Sequence, residues 1–172
     1  RAFKTWLKGK HAMIAIIPAR GESKGIPFKN IKLLNGKPLL VWSVERALSA
    51  KNISEVIVST DDVKIAKIAQ QSGAEVAFRP AALATDYSKT VDVLHHHWLE
   101  LGKPSEIMTL QPTSPLRSRD LIDHCVDYYS SSQIGEKILA TGFISKRYEF
   151  GSINNIRRQE LSGYFYDDGN IY

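Results

Sequence analysis

Short apolar runs alternate with helix-length amphipathic stretches along this chain, and no other feature narrows its fold as far. Met13–Pro18 is an Ile-rich run of the length of a buried strand. The spacing predicts a helix over 38–50, with Leu39, Leu40, Trp42, Ser43, Ala47 and Leu48 near a 3.6-residue period and Pro38 at its start. A second strand is expected at 55–59. Asp61 is expected to cap a helix running to about Ser72, with Val63, Ile65, Ala66, Ile68 and Ala69 on its inner face and Gly73 as its stop. A third strand at Glu75–Phe78, a helix over 89–101 ended by Gly102, a fourth strand at 106–110 and a helix over 119–131 follow. A fifth strand is expected at 138–143 and a sixth at 164–172, the latter entered through a turn at Asp167, Asp168 and Gly169.

Strands separated by helices of this length form βαβ units, so the chain is read as α/β with a mostly parallel sheet. Ligands of such sheets bind outside the carboxyl ends of the strands. The residues to search are therefore 18–30, 60–62, 79–90, 111–117 and the approach to the last strand.

The chain has 172 residues, enough for one hydrophobic core, and the whole of 13–172 is read as a single domain. Its longest apolar runs fall far short of the roughly 20 residues that span a bilayer, so no membrane partner is expected. Cys125 is the single cysteine, which excludes an intrachain disulfide and a cysteine-rich zinc centre. A reducing, cytoplasmic setting agrees with that. The formal charge of +5 owes much to Arg1, Lys4, Lys8 and Lys10. They lie in residues 1–12, which have no acidic residue and neither the long apolar stretch nor the cleavage site of a signal peptide; this segment is read as an added leader. Without it the chain is close to neutral, and a nucleic-acid partner is not expected.

The loop after the first strand, IPARGESKGIPFKN at 17–30, carries Arg20, Lys24 and Lys29, with Gly21 and Gly25 between them. Cations, glycines and exposed backbone amides at a strand end suit a phosphate; the plainer reading is a basic surface loop. The string is neither a dinucleotide fingerprint nor a Walker loop. His95, His96 and His97 do not form a metal site together, because successive helical residues stand about 100° apart. Asp61 and Asp62 are read as helix caps before paired carboxylates. Cys125, Trp42 and Trp98 are expected in the core.

The first motif resembles the signature of the acylneuraminate cytidylyltransferases, with Glu22 where that family usually has Gly. Val58-Ser59-Thr60-Asp61, Phe78-Arg79-Pro80 with Leu83-Ala84-Thr85-Asp86, LQPTSPLR at 110–117, and Arg157-Arg158-Gln159 before Tyr166 are similar to later landmarks in the same order. The resemblance implies a three-layer Rossmann-like fold of the nucleotide-sugar transferase type. It implies CTP and a nine-carbon 2-keto-3-deoxy sugar acid as substrates, CMP-sialic acid and pyrophosphate as products, Mg²⁺ or Mn²⁺ as cofactor, and a homodimer. Arg20, Lys24 and Lys29 would hold and neutralise the triphosphate, Ser23 and Asn30 would bond phosphate or ribose, and Arg79 and Thr90 would lie beside the nucleotide. Gln111, Thr113 and Ser114 would face the sugar, and Arg158 and Gln159 would take its carboxylate and hydroxyls. Arg117 and Arg119 are equally readable as solvated residues near a helix start, and Arg157 as a solvent or dimer contact.

Two departures accompany the resemblance. The family usually carries a longer stretch between Phe143 and Arg157, including an arm toward a partner subunit. The aspartates that bind its metal would lie beyond Tyr172, so the chain is expected to be part of a longer polypeptide. Other readings remain: the same chemistry on legionaminic, pseudaminic or octulosonic acid, a nucleic-acid-binding module, or an inactive oligomerisation domain. The 111–114 loop lacks the acidic residue that octulosonate enzymes tend to carry there.

Overall fold

In the computed structural model, residues 13–23, 25–131 and 139 are described. Strand β1 (Met13–Pro18) leads to a 3-10 turn at Lys29–Ile31 and a two-residue hairpin of β2 (Leu33–Leu34) and β3 (Lys37–Pro38). Helix α1 (Leu39–Ser49), strand β4 (Ile53–Thr60), helix α2 (Val63–Gln71), strand β5 (Glu75–Phe78), helix α3 (Thr90–Glu100), strand β6 (Ile107–Thr109) and helix α4 (Leu121–Ser131) follow. The chain divides into two compact units, Arg1–Asp123 and His124–Tyr172. The sheet and the cleft described below belong to the first.

The main sheet has the order β5-β4-β1-β6, with every neighbouring pair parallel. The expected mostly parallel sheet is therefore observed. The central β1 and the Val56–Val58 stretch of β4 are continuous apolar runs, as strands covered on both faces tend to be. Alternation along them sends Ala15, Ile17, Val56 and Val58 into one cluster with Leu40, Val44 and Ala47 of α1 and Ile65 and Ala69 of α2. Ser59, next to Val58, instead meets His97 of α3. Helices thus cover both faces, the three-layer arrangement. Each fully buried Leu or Ile in these layers contributes about 1.5–3 kcal/mol.

Several expectations need correction. Asp62, not Asp61, caps α2: its Oδ1 accepts from the Lys64 and Ile65 amides at 2.7 and 2.9 Å. Asp62 takes the extended conformation a cap requires, and Asp61 faces the neighbouring loop instead. Trp42 and Trp98 are half-buried rather than core, because each indole N–H reaches a backbone carbonyl near the surface, Leu34 of β2 and Pro104 respectively. Cys125 is likewise half-buried, and burial pushes its thiol up. The β2–β3 hairpin had no expectation; it closes through Asn35 and Gly36, both at positive φ (51° and 76°). Residues 1–12, the sixth strand, Lys24, Arg157, Arg158, Gln159 and Tyr166 lie outside the described residues, and of the fifth strand only Leu139 is described.

Candidate functional site

A cleft of about 230 Å³ opens at the carboxyl end of the sheet. It is lined by Arg20, Ser23, Lys29 and Asn30 from the loop after β1, by Arg79, Thr85 and Asp86 after β5, by Thr90 and Val93 of α3, and by Gln111, Pro112 and Thr113 after β6. The structure therefore brings eight expected residues to one cavity: Arg20, Ser23, Lys29, Asn30, Arg79, Thr90, Gln111 and Thr113. Ser114 does not line it; it is exposed, with its amide turned back to the Gln111 carbonyl at 3.2 Å.

The loop after β1 is fastened at several points. Asn30 is buried, and its Nδ2 donates to the Arg20 carbonyl at 2.9 Å. The Gly21 amide donates to Asp61 Oδ1 at 3.0 Å. A Cβ on Gly21 would stand 2.8 Å from Asp62 Cβ, so the close approach requires glycine. Phe28 takes a left-handed φ of 53° to open the 3-10 turn that presents Lys29.

Arg20 spans two loops. Its guanidinium donates to the Thr85 carbonyl at 2.9 Å and pairs with Asp86 at 2.7 Å. A guanidinium carries five N–H donors, so these contacts leave others to face the cleft. Arg79 is more deeply set. One terminal nitrogen donates to the Ser59 carbonyl at 2.6 Å, and its buried Nε has no hydrogen-bond partner. Burial pushes its pKa below the ordinary arginine value; nearby Asp61 opposes that shift and Arg20 reinforces it. Arginine nonetheless stays protonated in proteins. Arg20, Lys29 and Arg79 thus put three cations around one small cavity, and such a cavity attracts a polyanion.

The loop after β6 is held differently. Arg117 donates to the Gln111 carbonyl at 2.8 Å and to the buried Ser43 hydroxyl of α1 at 2.9 Å. Burial lowers the Arg117 pKa. Sequence reasoning left Arg117 between a solvated and a functional role; its signal was an arginine closing a loop that two prolines already shape.

A second cleft, of about 570 Å³, shares Ser23 and Asp86 with the first and is acidic, lined by Glu22, Asp61 and Asp62. Its aspartates are engaged with the Gly21 amide, the α2 cap and Arg20. Among the described residues, the one cluster of His, Cys, Asp or Glu with converging ligand atoms is His96, His97 and Glu100, on α3. That cluster lies away from the cleft, so among the described residues no group of three converging ligands is found at the cleft itself.

The cytidylyltransferase family matches residues 14–161. The N-acylneuraminate cytidylyltransferase of Streptococcus agalactiae is 32% identical over 92% of this chain, which spans 42% of that enzyme. The CMP-N,N'-diacetyllegionaminic acid synthase of Legionella pneumophila is 38% identical over 77% of this chain and 59% of its own length. The pseudaminic acid cytidylyltransferase of Campylobacter jejuni is 31% identical over 92% of this chain and 76% of its own length. Among solved structures, a CMP:2-keto-3-deoxy-manno-octonic acid synthetase complexed with CTP superposes with a TM-score of 0.62 over 69% of this chain and 47% of that one, at 24% identity. A 4-diphosphocytidyl-2C-methyl-D-erythritol synthase gives 0.57 over 78% of this chain and 65% of that one, at 14% identity. Those two likenesses establish the α/β fold, and the match over 14–161 establishes the lineage: the chain belongs to the cytidylyltransferase family.

Proposed function

We propose that this chain is the nucleotide-binding part of an enzyme that couples CTP to a nine-carbon 2-keto-3-deoxy sugar acid. The observation that carries the reading is the convergence of Arg20, Lys29 and Arg79 with Gln111 and Thr113 on one cleft at the strand ends. Sialic acid is the first candidate substrate, because three of the relatives most like this chain are N-acylneuraminate enzymes. Legionaminic and pseudaminic acids follow on the strength of two others.

In this reaction the anomeric hydroxyl oxygen attacks the α-phosphorus of CTP. A new P–O bond forms, the bond to the β-phosphate oxygen breaks, pyrophosphate leaves and the hydroxyl proton passes to solvent. The work of the protein is positioning and charge neutralisation. Arg20, Lys24 and Lys29 neutralise the triphosphate, Ser23 and Asn30 meet its oxygens or the ribose, and Arg79 and Thr90 flank the nucleotide. Gln111 and Thr113 face the sugar, with Arg158 and Gln159 supplied to its carboxylate and hydroxyls. A divalent ion, when bound, supplies further neutralisation of the phosphates; its ligands are assigned to no described residue. A homodimer and a cytoplasmic setting belong to the same reading, and light scattering of the complete protein tests the first.

Pyrophosphate release, measured with CTP and UTP against a panel of sugar acids, tests the reading. Lys29→Ala should weaken CTP about tenfold or more, since a hydrogen bond to a charged group contributes roughly 1.5–3 kcal/mol. Equal CTP affinity in the variant by calorimetry removes Lys29 from the assignment. Absence of nucleotide binding in the parent chain removes the reading itself.

A further inference from the structure

Away from the cleft, the last turn of α3 gathers three metal-ligating side chains. His97 is 1% exposed and Glu100 50%; His96 is 26% exposed. One ligand atom from each lies within 4.8 Å of the other two. His97 Nε2 is 2.7 Å from the buried Ser59 hydroxyl, which leaves Nδ1 facing Glu100 Oε2 at 3.1 Å. His96 Nε2 stands 3.4 Å from Glu100 Oε1, yet it is a buried atom with no hydrogen-bond partner. Helical phase explains the convergence. His96 and His97 differ by about 100°, and Glu100, one turn on, projects between them. His95 falls outside this arc and stacks on Trp98, ring centroids 5.8 Å apart.

We propose that His96, His97 and Glu100 form a binding site for a borderline divalent transition ion, of which Zn²⁺ is the type. Imidazole nitrogen selects such ions over Mg²⁺. Bonds of about 2.0–2.2 Å place tetrahedral ligands a little over 3 Å apart; His97 Nδ1 already stands 3.1 Å from Glu100 Oε2, and His96 Nε2 3.4 Å from the other carboxylate oxygen, Oε1. Rotation of the half-exposed His96 and Glu100 side chains closes the remaining spacing, and water completes the shell.

Ser59 serves as the outer partner. An ionised Glu100 only accepts, so in the free protein the His97 proton sits on Nδ1 and Nε2 accepts from the Ser59 hydroxyl. When the ion takes Nδ1, the proton moves to Nε2 and the Ser59 hydroxyl turns to accept it; the ring stays neutral throughout. The bound ion would stiffen the last turn of α3, which the Ser59–His97 contact joins to β4. It would be separate from the nucleotide cleft, because Thr90, which lines the cleft, lies about 10 Å along the helix from His97.

Zn²⁺ titrated into the full chain by calorimetry, with Co²⁺ followed by visible absorption, tests the site without reference to activity. One equivalent is expected, with a Co²⁺ band of four-coordinate intensity. Glu100→Gln and His96→Asn, at half-exposed positions that tolerate change, should each abolish that band. Ser59→Ala should weaken Zn²⁺ about 10–100-fold, the usual cost of losing an outer partner. His95→Asn and His11→Asn should leave binding unchanged. Nitrogen shifts of the His97 ring should report the proton on Nε2 in the loaded protein. Binding that survives Glu100→Gln and His96→Asn together, or its absence at millimolar Zn²⁺, overturns the proposal.

Discussion

The loops after β1 and β6 face the same cleft, but they are held in opposite ways. In the first, two side chains that line the cleft, Arg20 and Asn30, also fasten the loop, with Asp61 helping from outside it. Asn30 holds the Arg20 carbonyl, Asp61 holds the Gly21 amide, and Arg20 reaches across to Thr85 and Asp86. In the second, the fastening is left to Arg117, the Ser43 hydroxyl and the buried Pro112, while Gln111, Thr113 and Ser114 are exposed and make no side-chain hydrogen bond among the described residues. A fastened loop suits a group that never changes, and free polar side chains on a clamped backbone suit one that does. The relatives follow that division: their names share a cytidylyl or CMP group and differ in the sugar acid.

The largest effect should come from breaking the first loop where binding and fastening coincide. Asn30→Asp removes the donor to the Arg20 carbonyl and sets a carboxylate beside the proposed phosphates. Leaving that carbonyl unpaired costs roughly 1–3 kcal/mol of stability, and CTP affinity should fall at least tenfold. Asn30→Ala should reproduce the stability loss, measured by denaturant midpoint, with a smaller loss of affinity. Equal CTP affinities for the two variants would show that the charge is not felt there, and the loop would not be the phosphate side.

Gly21→Ala should come next. The added methyl meets Asp62 Cβ at 2.8 Å and Oδ2 at 2.9 Å. Overpacking of this kind costs roughly 1–3 kcal/mol, and a single methyl belongs at the lower end. Because Asp62 also caps α2, the strain can leave through the cap or through the loop. Asp62→Ala alone should cost about 1 kcal/mol. A double variant less destabilised than the sum of the singles would show that the two share one contact.

Arg117→Lys should have a smaller and more selective effect. Lysine cannot reach the Gln111 carbonyl and Ser43 as a fork, so the loop loosens without losing its cleft-facing side chains. The KM for the sugar acid should rise severalfold, about 1 kcal/mol, with the KM for CTP nearly unchanged. A rise in the CTP KM alone would make the second loop part of the nucleotide site.

The first loop was legible in the sequence because one string holds both its charges and its glycines. The parallel sheet followed from alternation, and its four strands fall within two residues of expectation. What escaped was long-range pairing. Nothing local separates Asp61 from Asp62, and only the approach of Gly21 decides which of them caps α2. Arg117 stayed undecided between a solvated and a functional role because its partner Ser43 lies 74 residues away. The half-burial of Trp42 and Trp98 escaped for a related reason: helical phase gives a face, and it does not show a nearby backbone carbonyl that draws the indole N–H outward.

Ser114 gives the smallest and most discriminating test. The resemblance put it beside the sugar with Gln111 and Thr113, yet Thr113 lines the cleft and Ser114 does not. Its amide closes a turn onto the Gln111 carbonyl, a backbone contact that alanine keeps. Exposed substitutions of this kind stay within about 0.5 kcal/mol, so Ser114→Ala should leave stability and both KM values nearly unchanged. Thr113→Ala removes a hydroxyl from the cleft wall and should raise the sugar KM while sparing CTP. If steady-state kinetics give the reverse, with Ser114 sensitive and Thr113 silent, then the loop turns over when the sugar binds. The second loop would then be the moving part of the site, and its free side chains would serve closure rather than the variety of sugar acids.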